Sequence, residues 1–210
     1  MAQYTLNASF SSDVLDTFYV TGTNVVIAKP AANGTPNVAW QVFSPLQQNQ
    51  LTWTEQYGIY ASNQEVANGV VLNQMSNVPI GAAMNQLYTL EASGVITGPD
   101  SGGQPNSFAL QNSYIDQPYM TIGLFQNAVV NGTPVNGNAI SAVPVLLAST
   151  AVMTPYTTVY IWVQSQVVSN TVVTTVTSPM TELTFGGGNN IISVQYDAGS
   201  GTFLFTNGNN

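Results

Sequence analysis

The 210-residue chain contains no cysteine and no histidine, and Lys29 is its only basic residue. Without thiols and imidazoles, a protein cannot form disulfides, Fe–S clusters or the usual zinc sites. It also cannot use a Ser-His-Asp or Cys-His nucleophile. We therefore expect no enzymatic activity of these classes and no bound cofactor.

Charge is scarce and almost entirely negative. Nine acidic residues face one lysine, which gives a formal net charge of -8, and only 5% of residues are charged. A protein that binds nucleic acid must neutralise several phosphates with several cations. An acidic chain is likewise repelled by anionic membranes. The composition predicts neither nucleic acid nor an anionic membrane as a partner.

Long apolar runs are also missing, because the longest neutral stretch, Ile140–Met153, is interrupted by Ser and Pro and is shorter than the ~20 residues of a membrane-spanning helix. The first residues carry neither the basic nor the apolar region of a secretory signal peptide. We expect synthesis in the cytoplasm with release by a non-classical route still open, and the final location is unknown.

Apolar residues are nevertheless abundant, at 44% of the chain, and they occur in short Val-, Ile-, Thr- and aromatic-rich runs separated by Gly, Asn and Pro. This pattern is typical of strands joined by turns. It predicts one all-β domain over residues 1–210, an antiparallel β-sandwich of jelly-roll or immunoglobulin-like type, with a closed β-barrel as the alternative. One short helix is expected at Asn63–Ala67. The predicted strands are 3–10, 17–28, 38–43, 51–60, 69–73, 86–91, 107–111, 119–128, 145–148, 157–168, 171–177, 182–185, 191–196 and 201–205.

Two hairpins are predicted near the end of the chain. Val159–Val168 and Thr171–Thr177 flank a short turn at Ser169–Asn170, and Ile191–Tyr196 and Thr202–Phe205 flank a glycine-containing loop. The first hairpin is also compatible with the membrane strands of a pore-forming protein, although an ordinary sandwich hairpin is more common. In the predicted strand Thr157–Val168, apolar residues lie on both faces, so we expect either a strand buried on both sides or Trp162 covered by a loop.

Two charged residues have unusual neighbours. In the predicted strand Leu51–Tyr60, alternation places Glu55 on the apolar face, where a carboxylate must lie near the rim or receive hydrogen bonds from backbone or amide groups. Lys29 follows the apolar run Val25–Ala28 and precedes Pro30, which favours a solvated strand end.

Catalysis and metal binding have few candidate residues. A two-carboxylate glycosidase is the enzyme class that the remaining acids could support most easily, but no motif fixes a pair among Glu55, Glu65, Glu91, Glu182 and the aspartates. Calcium needs only oxygen ligands, so a metal site at Asp13 and Asp16 or at Asp197 stays open. For Asp197, a turn in which the carboxylate binds nearby backbone N–H groups is the simpler interpretation.

Binding is the remaining class of function. Neutral sugars are held by amide and carboxylate groups beside an aromatic surface. The segment Gln111–Tyr119 offers these groups, and we predict a ligand site formed by Asn112, Tyr114, Asp116 and Tyr119. The expected function is therefore non-catalytic, lectin-like recognition of a neutral carbohydrate.

A charge-poor surface supports a second function. Mixed Lys and Glu side chains normally keep sheet edges apart, and this chain has almost none. The alternative is a structural subunit that self-assembles, as in an inclusion, a surface layer, a capsid or an appendage. Either way, we expect a homo-oligomer.

Overall fold

The structure, a computed structural model, describes residues 2–31 and 34–206. Strands account for 51% of the protein and helix for 5%, so the all-β prediction is confirmed. In chain order the elements are β1 (Gln3–Ser9), α1 (Ser12–Thr21), β2 (Thr23–Ala28), β3 (Gln41–Phe43), β4 (Gln48–Thr54), β5 (Gly58–Ser62), β6 (Ser76–Val78), β7 (Leu87–Leu90), β8 (Ile96–Asp100), β9 (Phe108–Asn112), β10 (Tyr119–Val130), β11 (Thr133–Ala139), β12 (Val143–Leu146), β13 (Thr150–Met153), β14 (Thr158–Ser165), β15 (Thr181–Thr184), β16 (Ile191–Asp197) and β17 (Thr202–Phe205).

The strands form three sheets. A nine-stranded sheet has the order β17-β16-β1-β4-β10-β5-β6, with β11 and β12 also paired to β10, and two four-stranded sheets have the orders β13-β9-β7-β8 and β15-β14-β2-β3. Within the described residues no sheet closes into a barrel, so the barrel alternative is wrong. The prediction of purely antiparallel sheets is wrong as well, because β1 pairs with β16 and β7 with β9 in parallel.

The main core joins the three sheets. Alternating residues point into it, among them Leu6 of β1, Leu124 of β10, Leu110 of β9 and Ile161 of β14, all at most 2% exposed. This period of two is the alternation that the sequence shows in its apolar runs. The architecture is sandwich-like, with the sheets packed through their apolar faces.

The helix is in a different place from the predicted one. Residues 12–21 form α1, so the strand predicted from Thr17 begins only at Thr23, while Asn63–Ala67 contains no helix. Val14, Leu15 and Phe18 have helical spacing and face the core. Gly22 ends the helix in the left-handed conformation, at φ 63°, and its N–H donates to Phe18 O.

One of the two predicted hairpins is confirmed. Strands β16 and β17 pair antiparallel, with Val194 opposite Phe205 and Tyr196 opposite Phe203. The hairpin of Val159–Val168 with Thr171–Thr177 is wrong, because β14 pairs with β2 and β15 instead.

The segment that follows β14 covers that strand. Val167 and Val173 pack over Trp162, which is fully buried on the face of β14 opposite the main core. The same segment also contacts Gly69–Asn73, which was predicted to be a strand. The N–H of Val172 donates to Val70 O at 2.8 Å, and Gly69–Asn73 forms only an isolated bridge. Burial of β14 on both faces is therefore confirmed, and a loop provides the second layer.

Strand bounds differ elsewhere too. The predicted strand Leu51–Tyr60 is split into β4 and β5 by residues 55–57, yet Leu51, Trp53 and Ile59 all remain on the buried side. The break brings Glu55 next to Lys29 and the rings of Trp53 and Tyr57, as the next section describes. The strands β6, β8, β11 and β13 had no sequence prediction over most of their length.

Candidate functional site

The predicted ligand residues lie where β9 ends and β10 begins, but they differ in exposure. Asn112 is completely buried, and its Nδ2 donates to Val145 O at 2.9 Å while its Oδ1 accepts from Tyr114 N at 3.1 Å. Its side chain therefore anchors the loop that follows and is not one of the loop's exposed groups.

The other three predicted residues are closer to solvent. Asp116 is exposed, Tyr119 is 36% exposed, and Tyr114 is half-buried. Desolvation, together with the charge of Asp116 and a hydrogen bond to it, raises the pKa of the Tyr114 hydroxyl above its usual value. The loop therefore places the Asp116 carboxylate near the Tyr114 hydroxyl.

The turn between β12 and β13 completes this surface. Leu146 pairs with Tyr119, the N–H of Leu147 donates to Pro118 O at 3.1 Å, and the N–H of Ala148 donates to Asn112 O at 2.8 Å. We call residues 113–119 and 146–149 the rim. The backbone hydrogen bonds hold its two segments in one arrangement.

A second cluster lies inside the protein around Lys29. The expectation of a solvated strand end is wrong, because Lys29 is only 1% exposed. Its Nζ donates to Glu55 Oε1 at 3.3 Å, to the Tyr57 hydroxyl at 3.4 Å and to Tyr156 O at 3.4 Å. The single basic side chain is therefore not available to the surface.

Three aromatic rings surround the ammonium group. Its nitrogen lies 5.4 Å from the ring centroid of Trp40, 5.5 Å from that of Trp53 and 5.3 Å from that of Tyr57. All three distances are within the range at which a ring face attracts a cation. The rings partly replace the water that the charge loses on burial.

Glu55 receives three donors through its two oxygens. Besides Lys29, the indole N–H of Trp53 donates to Oε1 at 3.2 Å, and the Tyr57 hydroxyl donates to Oε2. This carboxylate was expected either near the rim or with backbone or amide donors. Its side chain is 19% exposed, and its donors are instead the side chains of Lys, Trp and Tyr. We call Lys29, Trp53, Glu55 and Tyr57 the buried ion-pair cluster.

The surroundings change the ionisation of two members. Burial lowers the pKa of Lys29 to about 8, against the opposing effect of the Glu55 charge. Burial, followed by the charge and hydrogen bond of Glu55, raises the pKa of Tyr57 far above its usual value. Lys29 can therefore lose a proton near neutral pH, whereas Tyr57 stays protonated.

Very little space adjoins Lys29. A cavity of about 30 Å³ is lined by Lys29, Tyr156, Ile140 and Met153 among others. That volume accommodates about two water molecules and no organic substrate. The chemistry open to Lys29 is therefore limited to its own neighbours.

The acidic residues considered for calcium lie in two elements, Asp13 and Asp16 in α1 and Asp197 at the end of β16. Asp13 lies in the first turn of α1, and Asp197 accepts from the N–H groups of Gly199 and Ser200 and from the Ser200 hydroxyl. These hydrogen bonds lower the pKa of Asp197, and they confirm the turn interpretation. Among the residues that the structure describes, no three metal-ligating side chains of the Asp, Glu, His or Cys type come together.

Comparison with known proteins provides no relative. No family model, no curated protein and no solved structure matches this chain. Within residues 2–31 and 34–206, no helix is long and apolar enough to span a membrane. The function must therefore be argued from the rim and from the buried ion-pair cluster.

Raising the pH tests the burial of the tyrosines. Burial raises the pKa of Tyr60 far above its usual value, as it does for Tyr57. In the unfolded chain both hydroxyls ionise near pH ~10. Their contribution to stability is therefore complete below that pH and is lost as the pH rises above it.

We expect these two phenols to ionise only when the protein unfolds. Absorbance at the phenolate band, followed together with circular dichroism, measures both events in one titration. In Tyr60→Phe the late absorbance change should shrink by one residue. Ionisation of all ten tyrosines while the native dichroism persists would contradict the expectation.

Proposed function

We propose that the protein is a non-catalytic binding protein that holds a neutral carbohydrate on the rim. The observation that carries the proposal is the exposed carboxylate of Asp116 near the half-buried ring of Tyr114, with the exposed ring of Tyr119 at the start of β10. Carboxylates accept hydrogen bonds from sugar hydroxyls, and aromatic rings cover the apolar face of a sugar.

The placement of charge supports a neutral ligand. Lys29 is buried, so no lysine or arginine side chain is exposed anywhere in the protein. An anionic ligand would meet only carboxylates and neutral groups at the rim. A neutral polyhydroxy ligand carries no such electrostatic penalty.

Anchoring of the rim also supports binding. The side-chain hydrogen bonds of the buried Asn112 hold the start of the loop, and the backbone hydrogen bonds from Leu147 and Ala148 hold it to the neighbouring turn. A loop that is ordered before binding loses less conformational entropy when a ligand arrives.

The test compares glycan-array binding of the wild type with that of Asp116→Ala. We expect a set of neutral glycans to bind, and Asp116→Ala to weaken that binding by about tenfold or more, since hydrogen bonds to charged groups contribute ~1.5–3 kcal/mol. Asp16→Ala, which removes an exposed carboxylate from α1, is the matched control and should bind like the wild type. Absence of binding to every neutral glycan would contradict the proposal.

Self-association is the second candidate, and the same rim favours it. Ile115 is 67% exposed, Leu146 is 64% exposed and Leu147 is 41% exposed, so apolar side chains accompany Tyr119 on this surface. Exposed apolar residues that cluster in this way often mark a protein–protein contact. Light scattering over a range of concentrations distinguishes the two functions, because a subunit that assembles through the rim grows in mass with concentration, while a lectin that is a monomer or a small closed oligomer keeps a constant mass.

A further inference from the structure

The buried ion-pair cluster has the components of a condensation reaction within the protein. The only lysine amine of the chain lies 3.3 Å from a carboxylate oxygen of Glu55, with the lysine side chain 1% exposed and the glutamate side chain 19% exposed. We propose that Lys29 and Glu55 join in an isopeptide bond, formed by the folded protein without any other reagent.

The reaction is balanced by the loss of one water molecule. A bond forms between Lys29 Nζ and Glu55 Cδ, and the bond between Cδ and Oε2 breaks. Two of the three ammonium protons move to Oε2, which leaves as water, and the third stays on the amide nitrogen. The positive and the negative charge disappear together, so the net charge does not change and no oxidant or reductant is needed.

Tyr57 is placed to move the protons. Its hydroxyl accepts a hydrogen bond from Lys29 Nζ at 3.4 Å and donates one to Glu55 Oε2. A proton from Nζ can therefore reach Oε2 through this hydroxyl, which converts the ion pair into a free amine and a neutral acid. The same route delivers the second proton to the departing oxygen.

Trp53 is placed to stabilise the intermediate. When the amine adds to Cδ, negative charge develops on Oε1, and the indole N–H of Trp53 already donates to this atom at 3.2 Å. A donor aimed at a developing oxyanion in a water-poor site is a strong form of electrostatic stabilisation. Oε1 then becomes the carbonyl oxygen of the amide.

The environment favours both the reactivity of the Lys29 amine and completion of the amide bond. Burial lowers the pKa of Lys29 to about 8, so a free amine is accessible near neutral pH. Holding the two groups in contact corresponds to an effective concentration on the order of 10⁵–10⁸ M for well-oriented groups. The adjoining cavity of about 30 Å³ can receive the released water.

The bond would connect separate sheets. Lys29 follows β2, in a four-stranded sheet, whereas Glu55 lies between β4 and β5 of the nine-stranded sheet. A covalent link between them closes a loop across the core of a protein that has no cysteine. Such a link limits the unfolded chain in the way that a disulfide does.

Mass spectrometry of the purified full-length protein tests the proposal directly. We expect an intact mass lower than the sequence mass by one water molecule, and a branched peptide that joins the segment of Lys29 to the segment of Glu55 after digestion at acidic residues. The full sequence mass after prolonged incubation of folded protein at pH 8 would overturn the proposal.

Counting amines provides an independent measurement. Because Lys29 is the only lysine, the unfolded chain has two amines if the bond is absent, namely Lys29 and the chain terminus, and one if it has formed. We expect an amine-reactive label to add once in denaturant. Addition of two labels, or the same loss of water in Lys29→Met, would also overturn the proposal.

Two conservative variants test the assigned roles without removing either reactive group. Tyr57→Phe keeps the ring and removes the proton route, and Trp53→Phe keeps an aromatic ring and removes the donor to Oε1. Both should fold and accumulate the unlinked mass, with bond formation slowed about a hundredfold or more for loss of a proton-transfer group or an oxyanion donor. Glu65→Gln changes an exposed glutamate and should form the bond as the wild type does. Formation of the bond at the wild-type rate in both aromatic variants would refute these roles.

Discussion

Gly123→Ala is expected to destabilise the protein by more than about 3 kcal/mol, enough to prevent accumulation of folded protein. Gly123 lies in the middle of β10, opposite Tyr60 of β5. A Cβ atom there would overlap the carbonyl oxygen of Ser141 and would lie 2.6 Å from Tyr60 Cε1 and 2.8 Å from Ser141 C.

Neither neighbour can move away. The Tyr60 hydroxyl donates to Ser141 O at 2.7 Å, and the Ser141 hydroxyl accepts from the N–H of Leu124 at 3.2 Å. Tyr60 is also fully buried. Relief of the overlap therefore requires separation of β10 from its neighbours and the loss of these hydrogen bonds.

Urea denaturation followed by tryptophan fluorescence measures the effect. Gly199→Ala is the matched control, because its Cβ would meet the Asp197 carboxylate at 3.5 Å, an ordinary contact. That variant should remain within ~0.5 kcal/mol of the wild type. A stable Gly123→Ala protein would mean that β10 does not pass Ser141 as closely as the structure has it.

The reference for this comparison and for the double variant below is wild-type protein in which the Lys29–Glu55 amide bond has not formed, identified by its full sequence mass. Relative to that protein, Glu55→Gln should cost about 3–5 kcal/mol, since it leaves the charge of Lys29 buried without its counter-ion. The remaining acceptors of Lys29 Nζ, the Tyr57 hydroxyl and Tyr156 O, are neutral. Lys29→Met removes the cation instead and should also be strongly destabilising, because Trp53 and Tyr57 then face an unpaired carboxylate.

The double variant Lys29→Met, Glu55→Gln distinguishes coupling from two separate losses. We expect its free energy of unfolding to fall by much less than the sum of the two single effects, because no isolated charge is left in the core. Glu65→Gln is again the control and should be nearly neutral. Additive losses in equilibrium unfolding would show that Lys29 and Glu55 do not interact.

Local pattern predicts local structure well in this chain. The alternation of Ile192, Val194 and Tyr196 and the glycine-containing loop after Asp197 were sufficient for the β16–β17 hairpin, because both strands and the turn are adjacent in sequence. The wrong hairpin shows the limit of this reasoning. A short turn at Ser169–Asn170 exists, but Ala39 and Leu72 take up its backbone hydrogen bonds, and no local pattern identifies such distant partners.

The helix α1 was missed because its residues carry two signals. Phe18, Tyr19 and Val20 resemble the start of a strand, whereas Asp13 in the first turn and Gly22 after the last turn are ordinary helix boundaries. Tertiary packing decides between them, since Val14, Leu15 and Phe18 reach the core only in a helix.

In the candidate sites, too, local pattern is informative but does not identify contacts with residues that are distant in sequence. Alternation placed Glu55 on the apolar face and predicted either a rim position or backbone and amide donors. The structure instead supplies side-chain donors, which sequence spacing could not identify. Lys29 was misjudged because Pro30 marks the end of a strand but not whether that end is exposed, and here Tyr156 and Glu55 cover it. Asn112 was grouped with exposed residues because sequence spacing cannot show that its amide reaches Val145 across the sheet.

The parallel pairing of β1 with β16 also has a consequence for biosynthesis. Asn7 donates to the Ser193 hydroxyl at 3.2 Å, so β1 pairs with a strand that lies 186 positions later in the chain. During synthesis this edge of β1 stays unpaired until β16 has left the ribosome. Pairings between such distant segments form slowly, and a chaperone that shields β1 during this interval would protect the newly made protein from aggregation.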